Sequence, residues 1–425
     1  MKQAFVLVGS CLALFAWGCG SSDSAPDDST PASGTGGSGQ LDSSDTTKST
    51  DPDPSQQDPT KLPGAEAPPG VPPQGCVKGF AGGALQLTLD GKVPSVQLEA
   101  KDGKLLANDV ACSDAGGHDV DPASVTSLRV NGDAGDNGVS WALGSGDWSG
   151  LLAGPERVQL WLGEGKNSLR IIGTDGADHF RHGLRDPDVV LDLTGDGTIN
   201  VVAENLAALA VELGAGDDRL EDLAPPAAAE GAAPAEEDPT SVPITSLSVA
   251  LIANGGEGND WIVGGSGSDN LDGGPGDDVL SGLDGNDSFR ASEQLDGADI
   301  INGGPGYDEL SYELRNEPLT LNLCLSDAAL GCSGEQCSCD APSGEAGEND
   351  RIVNVEDVTA GNGDDIINGS DAAESLSGGP GADSLNGGGG SDVLYGQTGV
   401  DVLDGGSDGD YCDAREGETA SGCEL

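Results

Sequence analysis

Aspartate recurs every nine residues in the second half of the chain. It occupies the sixth place of nonapeptides that begin at Gly255 and read GGEGNDWIV, GGSGSDNLD, GGPGDDVLS and GLDGNDSFR. If two repeats form one coil, Asp260 and Asp278 share an edge in successive coils, as do Asp269 and Asp287. Carboxylates a few ångströms apart repel by on the order of 4 kcal/mol at an effective dielectric constant of 20. A hard cation between them would convert the repulsion into coordination, so the spacing predicts divalent-metal binding.

Calcium is the predicted ion, because it accepts six to eight oxygens at flexible angles, whereas Mg²⁺ demands a tighter octahedron. The alternative is that these aspartates only cap turns and keep the surface soluble. Eleven aspartates in register with turn glycines favour calcium over that alternative. The predicted metal site consists of the sixth-place aspartates and turn glycines of both repeat blocks: Gly256, Gly258, Asp260, Gly265, Gly267, Asp269, Gly274, Gly276, Asp278, Gly285, Asp287, Asp299, Gly304, Gly306, Asp308, Asp365, Gly379, Gly381, Asp383, Gly388, Gly390, Asp392, Gly399, Asp401 and Asp410.

The same nonapeptide predicts how these residues are positioned. Glycines at the first, second and fourth places permit a tight turn. An apolar eighth residue between two outward residues predicts a three-residue strand with one inward side chain. The inward residues are Ile262, Leu271, Leu280, Phe289, Ile301, Leu310, Ile367, Leu376, Leu385, Leu394 and Leu403. Stacked coils would align them as a narrow apolar ladder.

The pattern G-G-x-G-x-D-x-U-x, in which U is apolar, resembles the calcium-binding nonapeptide of the repeats-in-toxin (RTX, hemolysin-type) family. The resemblance covers roughly residues 250–413. It implies an all-β fold, a parallel β-roll or β-solenoid, with Ca²⁺ as cofactor. In the metal-free state the aspartates would repel one another and the repeats would be disordered, so that metal affinity would appear as folding free energy.

Residues 75–222 contain the nonapeptide pattern in a less complete form, which predicts a diverged β-solenoid or another all-β domain. Asn137, Asn167, Asp178 and Asp218 occupy the sixth place of incomplete copies, and whether those turns bind metal stays open. The segment from Asp192 is similar to an EF-hand calcium loop, but its twelfth place is not acidic and no helix precedes it, which disfavours such a site.

Composition restricts the function classes. The chain has 74 Asp+Glu against 18 Lys+Arg, a formal net charge of -56, which argues against binding nucleic acid. Aromatic residues make up 3% of the 425 residues, too few to fill one thick globular core. A thin, repeated core or partial disorder remains. We expect no enzyme, because the three histidines lie near no plausible nucleophile.

The first residues resemble a bacterial lipoprotein signal, since a short apolar run ends just before Cys19. The resemblance implies lipidation of Cys19, a membrane partner, and an outer-membrane, cell-surface or extracellular location. The predicted organisation runs as follows: 1–18 signal peptide, 19–74 lipidated Cys and disordered tether, 75–222 all-β domain, 223–243 Pro/Ala/Glu linker, 244–311 repeat block 1, 312–359 β insertion with a Cys cluster, 360–413 repeat block 2 and 414–425 tail.

Eight cysteines remain when Cys11 of the signal and the lipidated Cys19 are set aside, and this even number predicts disulfides in an exported chain. Proximity favours Cys76–Cys112 and Cys412–Cys423. The cluster of Cys324, Cys332, Cys337 and Cys339 predicts two further disulfides, with zinc as the alternative.

The predicted function is that of a calcium-dependent extracytoplasmic scaffold, which could serve adhesion or envelope attachment. Two alternatives stay open. One is a glycan-binding adhesin that uses Trp141, Trp148 and Trp161, and the other is a hydrolase with an unrecognised site in 75–222. The sequence does not identify a protein or glycan partner.

Overall fold

The structure, a computed structural model, describes residues 70–224, 244–325 and 342–424. These residues belong to one compact unit. The predicted signal sequence and lipidation site, nearly all of the tether, most of the linker and three cysteines of the cluster lie outside the described residues. Within those three ranges, the structure contains no helix with the length and apolar character needed to cross a membrane.

Residues 70–224 contain thirteen strands. In chain order β1 to β13 are Ala84–Thr88, Ser95–Lys101, Lys104–Ala107, Val110–Ala111, Ser127–Asn131, Gly138–Ala142, Val158–Trp161, Asn167–Ile172, His179–Arg185, Asp188–Asp192, Val201–Glu204, Leu206–Ala215 and Arg219–Asp222. The helical segments are a 3₁₀ turn at Pro122–Ser124 and the single-turn α1 at Ser149–Leu152. Most of these strands pair in parallel, but β9, β10 and β11 pair antiparallel, as do β2, β3 and β4.

The strands of the repeat region are mostly three residues long. In chain order β14 to β32 are Ala250–Glu257, Trp261–Gly265, Asn270–Asp272, Val279–Leu283, Ser288–Arg290, Ile300–Asn302, Glu309–Ser311, Thr320–Cys324, Arg351–Val353, Asp357–Thr359, Ile366–Asn368, Ser375–Ser377, Pro380–Gly381, Ser384–Asn386, Val393–Tyr395, Thr398–Gly399, Val402–Asp404, Tyr411–Asp413 and Thr419–Ser421. The length follows from the nonapeptide, because six of its nine residues form the turn.

Successive repeats contribute strands alternately to two long sheets. The first sheet has the order β1-β5-β7-β11-β10-β9-β13-β15-β17-β19-β22-β21-β24-β27-β30-β32, and the second has β31-β28-β25-β23-β20-β18-β16-β14-β12-β8-β6-β2-β3-β4. Strands two repeats apart pair in parallel, so that Ile262 lies opposite Leu280 and Leu280 opposite Ile301. The predicted all-β fold, a parallel β-roll or solenoid, is confirmed.

The core is a narrow ladder shared by both sheets. All eleven eighth-place residues predicted to point inward are buried, which confirms that prediction. Each coil therefore buries only two such side chains, worth roughly 1.5–3 kcal/mol each. The ladder continues through the first half of the chain, because β12 pairs with β14 and β13 with β15.

One place breaks the regular stacking. Strand β22 lies between β19 and β21 in the first sheet, although it follows β21 in the chain. The chain therefore forms β21 first and then returns to place β22 between β21 and the strand of the preceding coil. Strand β21 in turn pairs with β24, which begins the second repeat block. The segment from Tyr312 to Leu319, which enters β21, contains no glycine.

Two predicted disulfides are present. Cys76 and Cys112 are joined with their Cα atoms 4.5 Å apart, and Cys412 and Cys423 with theirs 5.8 Å apart. The first closes the beginning of the solenoid and the second the last coil. Cys324 of the predicted cluster is buried at the end of β21.

Candidate metal centre

Carboxylates line one edge of the first sheet, immediately before its strands, and we call this row the first ladder. Its members are Asp178, Asp218, Asp260, Asp278, Asp299 and Asp350, followed after the break by Asp365, Asp383 and Asp401. From Asp178 to Asp299, each backbone N–H donates to Oδ1 of the next member, as from Asp260 to Asp278 at 2.8 Å and from Asp278 to Asp299 at 2.9 Å. The same bond links Asp383 to Asp401 at 3.0 Å.

The second ladder runs along the corresponding edge of the second sheet. Its members are Asp269, Asp287, Asp308, Glu356, Glu374, Asp392 and Asp410. The N–H of Asp269 donates to Asp287 at 2.8 Å, and that of Asp392 donates to Asp410 at 2.9 Å. The structure thus places in adjacent coils the pairs that the two-repeat coil predicted.

The hydrogen bond uses one carboxylate oxygen and leaves the other. Among the described residues, ten ladder carboxylates have a buried second oxygen without a hydrogen-bond partner: Asp218, Asp260, Asp278, Asp287, Asp308, Glu374, Asp383, Asp392, Asp401 and Asp410. A buried polar group without a partner is costly, and an ionised one more so. The residues present therefore fit a row of cations, because each such oxygen can become a metal ligand.

The glycines of the motif are required by space around this oxygen. A Cβ at Gly273, the first place, would overlap Oδ2 of Asp278, the carboxylate of its own repeat. A Cβ at Gly276, the fourth place, would overlap the carbonyl oxygen of Gly258 in the preceding coil, and Gly276 has a φ of +154°. Turn carbonyls of successive coils are thus stacked beside the carboxylates.

Side chains alone do not complete a coordination sphere. Within the described ranges, no group of three or more His, Cys, Asp or Glu side chains is placed to hold a metal ion. A calcium ion between two turns would therefore take most of its six to eight oxygens from the stacked backbone carbonyls, as a hard cation can.

Burial raises the pKa of the ladder carboxyls, and nearby carboxylates such as Asp260 beside Asp278 raise it further. The raised pKa values are about 6 for Asp260, Asp287, Asp350 and Asp383, about 7 for Asp269, Asp278, Asp308 and Glu374, and about 8 for Asp299. Ionising these groups in the folded chain therefore costs more free energy than in water, and a nearby cation would offset that cost.

The first half of the chain contains a neutral counterpart of the ladder. Asn137 and Asn167 are fully buried, and the N–H of Asn137 donates to Oδ1 of Asn167 at 3.0 Å. Amides make the same backbone contact without a charge. Asp178 and Asp218 belong instead to the first ladder, since the N–H of Asp218 donates to Asp260 at 2.8 Å.

The EF-hand-like loop is satisfied internally. Buried Asp192 accepts hydrogen bonds from the N–H groups of Thr194 and Gly197 at 2.9 and 2.6 Å. Its two oxygens are thereby used within the turn, which agrees with the lack of an acidic residue at the twelfth place of this loop.

Sequence patterns missed two ladder members, Asp350 and Glu356. Their turns lack the G-G-x-G spacing, although each precedes a strand with an apolar middle residue, Ile352 or Val358. That apolar pattern was the available signal. Glu374 takes the sixth place of the copy GSDAAESLS, where it keeps the negative charge, and it lies in the second ladder.

The tryptophan and histidine side chains that could form another functional site do not come together in one place. Trp141 and Trp148 are buried and pack edge to face at 5.3 Å, whereas Trp161 lies apart and is exposed. His182 is buried and its Nε2 lies 2.8 Å from the carbonyl oxygen of Val263, while His179 faces Glu221 at 3.0 Å. The three tryptophans thus do not form one surface platform.

Comparison with protein families identifies four copies of the RTX calcium-binding nonapeptide repeat, over residues 254–289, 295–310, 356–385 and 377–412. The matched residues amount to roughly a quarter of the chain. They contain most of the ladder carboxylates but neither Asp218 nor Asp350. A search of curated proteins finds no match.

Proposed function

We propose that this chain, whose nonapeptides are RTX calcium-binding repeats, is an exported protein that folds around Ca²⁺ into a rigid extracytoplasmic scaffold. RTX repeats bind Ca²⁺, and the observation that carries the proposal is the row of buried carboxylate oxygens without partners in both ladders. An unpaired buried charge destabilises a fold strongly, so the stacked state depends on cations.

The residues proposed to hold calcium are the sixth-place carboxylates and the turn carbonyls of the coils on either side. Between the coils of Asp260 and Asp278, the carboxylates present their second oxygens while the turn glycines bring carbonyls within reach. Calcium would supply the positive charge that these oxygens lack. The apolar ladder then fixes the spacing of successive coils.

The proposal extends upstream of the matched residues to Asp218. Its turn stacks directly against the first matched turn, because a Cβ at Gly256 or Gly258 would overlap the carbonyl oxygens of Gly214 and Gly216. The second oxygen of Asp218 is buried without a partner, like those of the matched repeats. We therefore include Asp218 among the calcium ligands.

Export is supported by the two disulfides, since such bonds persist in oxidising compartments. Extracellular calcium modules bind at roughly 10⁻⁴–10⁻³ M, an affinity that leaves the repeats unfolded before export. Anchoring through lipidated Cys19 is part of the proposal. Metabolic labelling with a fatty acid should mark the wild-type chain and not C19A, and equal labelling would contradict the anchor.

A scaffold role agrees with the shape of the repeat. In the repeat region, strands of successive coils pair in parallel in both sheets, and calcium-filled turns would stiffen both edges. Adhesion or envelope attachment would use the ends or faces of such a rod, with a protein or glycan as partner.

The decisive experiment is a calcium titration of the full chain followed by far-ultraviolet circular dichroism. We expect a cooperative gain of β-sheet signal near 10⁻⁴–10⁻³ M Ca²⁺. Mg²⁺ and KCl at matched ionic strength separate coordination from charge screening, and should give much less. Identical spectra in chelator and calcium would refute the proposal.

A further inference from the structure

The break in the repeat contains a turn without the calcium motif. The N–H of Leu319 donates to Oδ1 of Asp365 at 2.8 Å, so Leu319 occupies the first-ladder position of its coil but carries no carboxylate. Arg315 lies where the next turn has Gly361, since a Cβ at Gly361 would be 2.6 Å from the carbonyl oxygen of Arg315. Two features that a calcium turn needs are therefore replaced here.

The side chain of Arg315 is fully buried and surrounded by carboxylates. Its guanidinium pairs with Asp296, and its Nη1 lies 2.8 Å from Glu348 and 3.3 Å from Glu345. Asp296 belongs to the turn before Asp299, and Glu345 and Glu348 to the turn before Asp350. The arginine thus bridges carboxylates from two successive turns.

The carboxylates are tied to the same backbone that stacks the coils. The N–H of Asp296 donates to Glu348 at 3.2 Å, and the N–H of Glu345 donates to the other oxygen of Glu348 at 2.7 Å. The carbonyl of Arg315 accepts from the N–H of Asn362 at 2.9 Å in the following turn. Arg315 therefore joins three turns: its guanidinium binds the turns before Asp299 and Asp350, and its carbonyl binds the first turn of the second block.

We propose that Arg315 is a cation built into the chain that takes the place of calcium at this break. A guanidinium cannot lose its proton at physiological pH and presents five donors, which suits it to pair several buried carboxylates. The junction then stays joined when calcium is absent, and the two repeat blocks load calcium on either side of a metal-independent coil. This inference rests on the proposed calcium dependence of the other turns.

The test uses R315Q and R315A in the full chain, with R185Q as control because Arg185 pairs with a single carboxylate, Glu156, at 2.7 Å near the surface. In saturating calcium, R315Q should lower Tm by roughly 5–10 °C, since it leaves buried carboxylates unpaired, whereas R185Q should change it little. Adding D296N or E348Q to R315Q should restore part of the loss by removing an unpaired charge.

R315A supplies a second readout, which is calcium binding. Removing the guanidinium leaves the carboxylates of Asp296, Glu345 and Glu348 around an empty space. A cavity of about 420 Å³, lined in part by Glu345, lies beside that space. We expect R315A to bind one more calcium ion than the wild type in equilibrium dialysis, and high calcium to recover its Tm. If R315Q matches R185Q in Tm, or if D296N and E348Q lower its Tm further, Arg315 is not a replacement cation. A wild-type chain that folds identically without calcium would instead refute the proposed function.

Discussion

Replacing Asp278 by asparagine should make the fold less dependent on calcium, because it should stabilise the metal-free state and weaken calcium binding. The amide oxygen can still accept the N–H of Asp260, now bound at 2.8 Å, so the coil-to-coil hydrogen bond is kept. The negative charge and the buried second oxygen are lost. The chain already contains this arrangement at Asn137 and Asn167, where neutral amides stack in the same way.

The magnitude follows from the pKa of Asp278, which burial and the neighbouring Asp260 raise from 3.8 to about 7. A shift of about three units corresponds to about 4 kcal/mol for ionising this group in the folded chain without metal. D278N should therefore stabilise the metal-free state by up to about 4 kcal/mol at pH 8. In calcium it should lose a ligand, and the affinity of that site should fall at least tenfold.

The assay is urea unfolding of the full chain at pH 8, in chelator and in saturating calcium. The matched control is D277N, because the adjacent Asp277 is exposed and its carboxylate accepts the N–H of Ala298 at 2.9 Å. The difference in unfolding free energy between the two conditions should shrink in D278N and stay nearly unchanged in D277N. Equal behaviour of the two variants, or a loss of stability of D278N in chelator, would refute the reasoning.

Three further predictions follow from the same geometry. In chelator, Asp269, Asp299 and Asp308 have folded-state pKa values of about 7 to 8, above their unfolded value of 3.8. The stability they contribute is therefore fully present below the unfolded pKa and is lost by the time the pH has risen through the folded pKa. The metal-free chain should therefore melt at a higher temperature at pH 5 than at pH 8, and the opposite trend would contradict the burial of these carboxyls. G276A should destabilise the calcium-loaded chain by roughly 2–5 kcal/mol, because Gly276 has a φ of +154° and an added Cβ would overlap the carbonyl oxygen of Gly258. The control G409A should be tolerated, because a Cβ at Gly409 would lie no nearer than 3.8 Å to any atom beyond its chain neighbours. Equal chemical unfolding midpoints for the two variants would argue against the stacked turns. Limited proteolysis in chelator should cut first within 255–413 and spare the segment around Asn137 and Asn167. Mass spectrometry identifies the cut sites. Early cuts around those asparagines would show that neutral amides do not keep the coils folded without metal.

The regular part of the fold could be predicted because one nonapeptide specifies a turn, a strand and an inward residue together. Ile262, Leu280 and their counterparts are buried as that period requires. The two-repeat coil also follows from the pattern, since it alone places Asp260 beside Asp278. These are local consequences of glycine turns and single apolar residues.

The departures depend on contacts between distant segments. Strand β22 inserts between β19 and β21, and no local signal encodes that order. Asp350 and Glu356 join the ladders although their turns lack the glycine spacing, because the neighbouring coils impose the stacking. Arg315 reads as an ordinary surface residue in sequence, and only the fold surrounds it with carboxylates.

The central claim is that cations occupy the space between ladder carboxylates. Anomalous diffraction from crystals of the full chain grown in calcium tests it most directly. The account predicts calcium peaks beside the second carboxylate oxygens of Asp260 and Asp278 and along both ladders, and no peak at the guanidinium of Arg315. Ladders that hold only water in abundant calcium would contradict it.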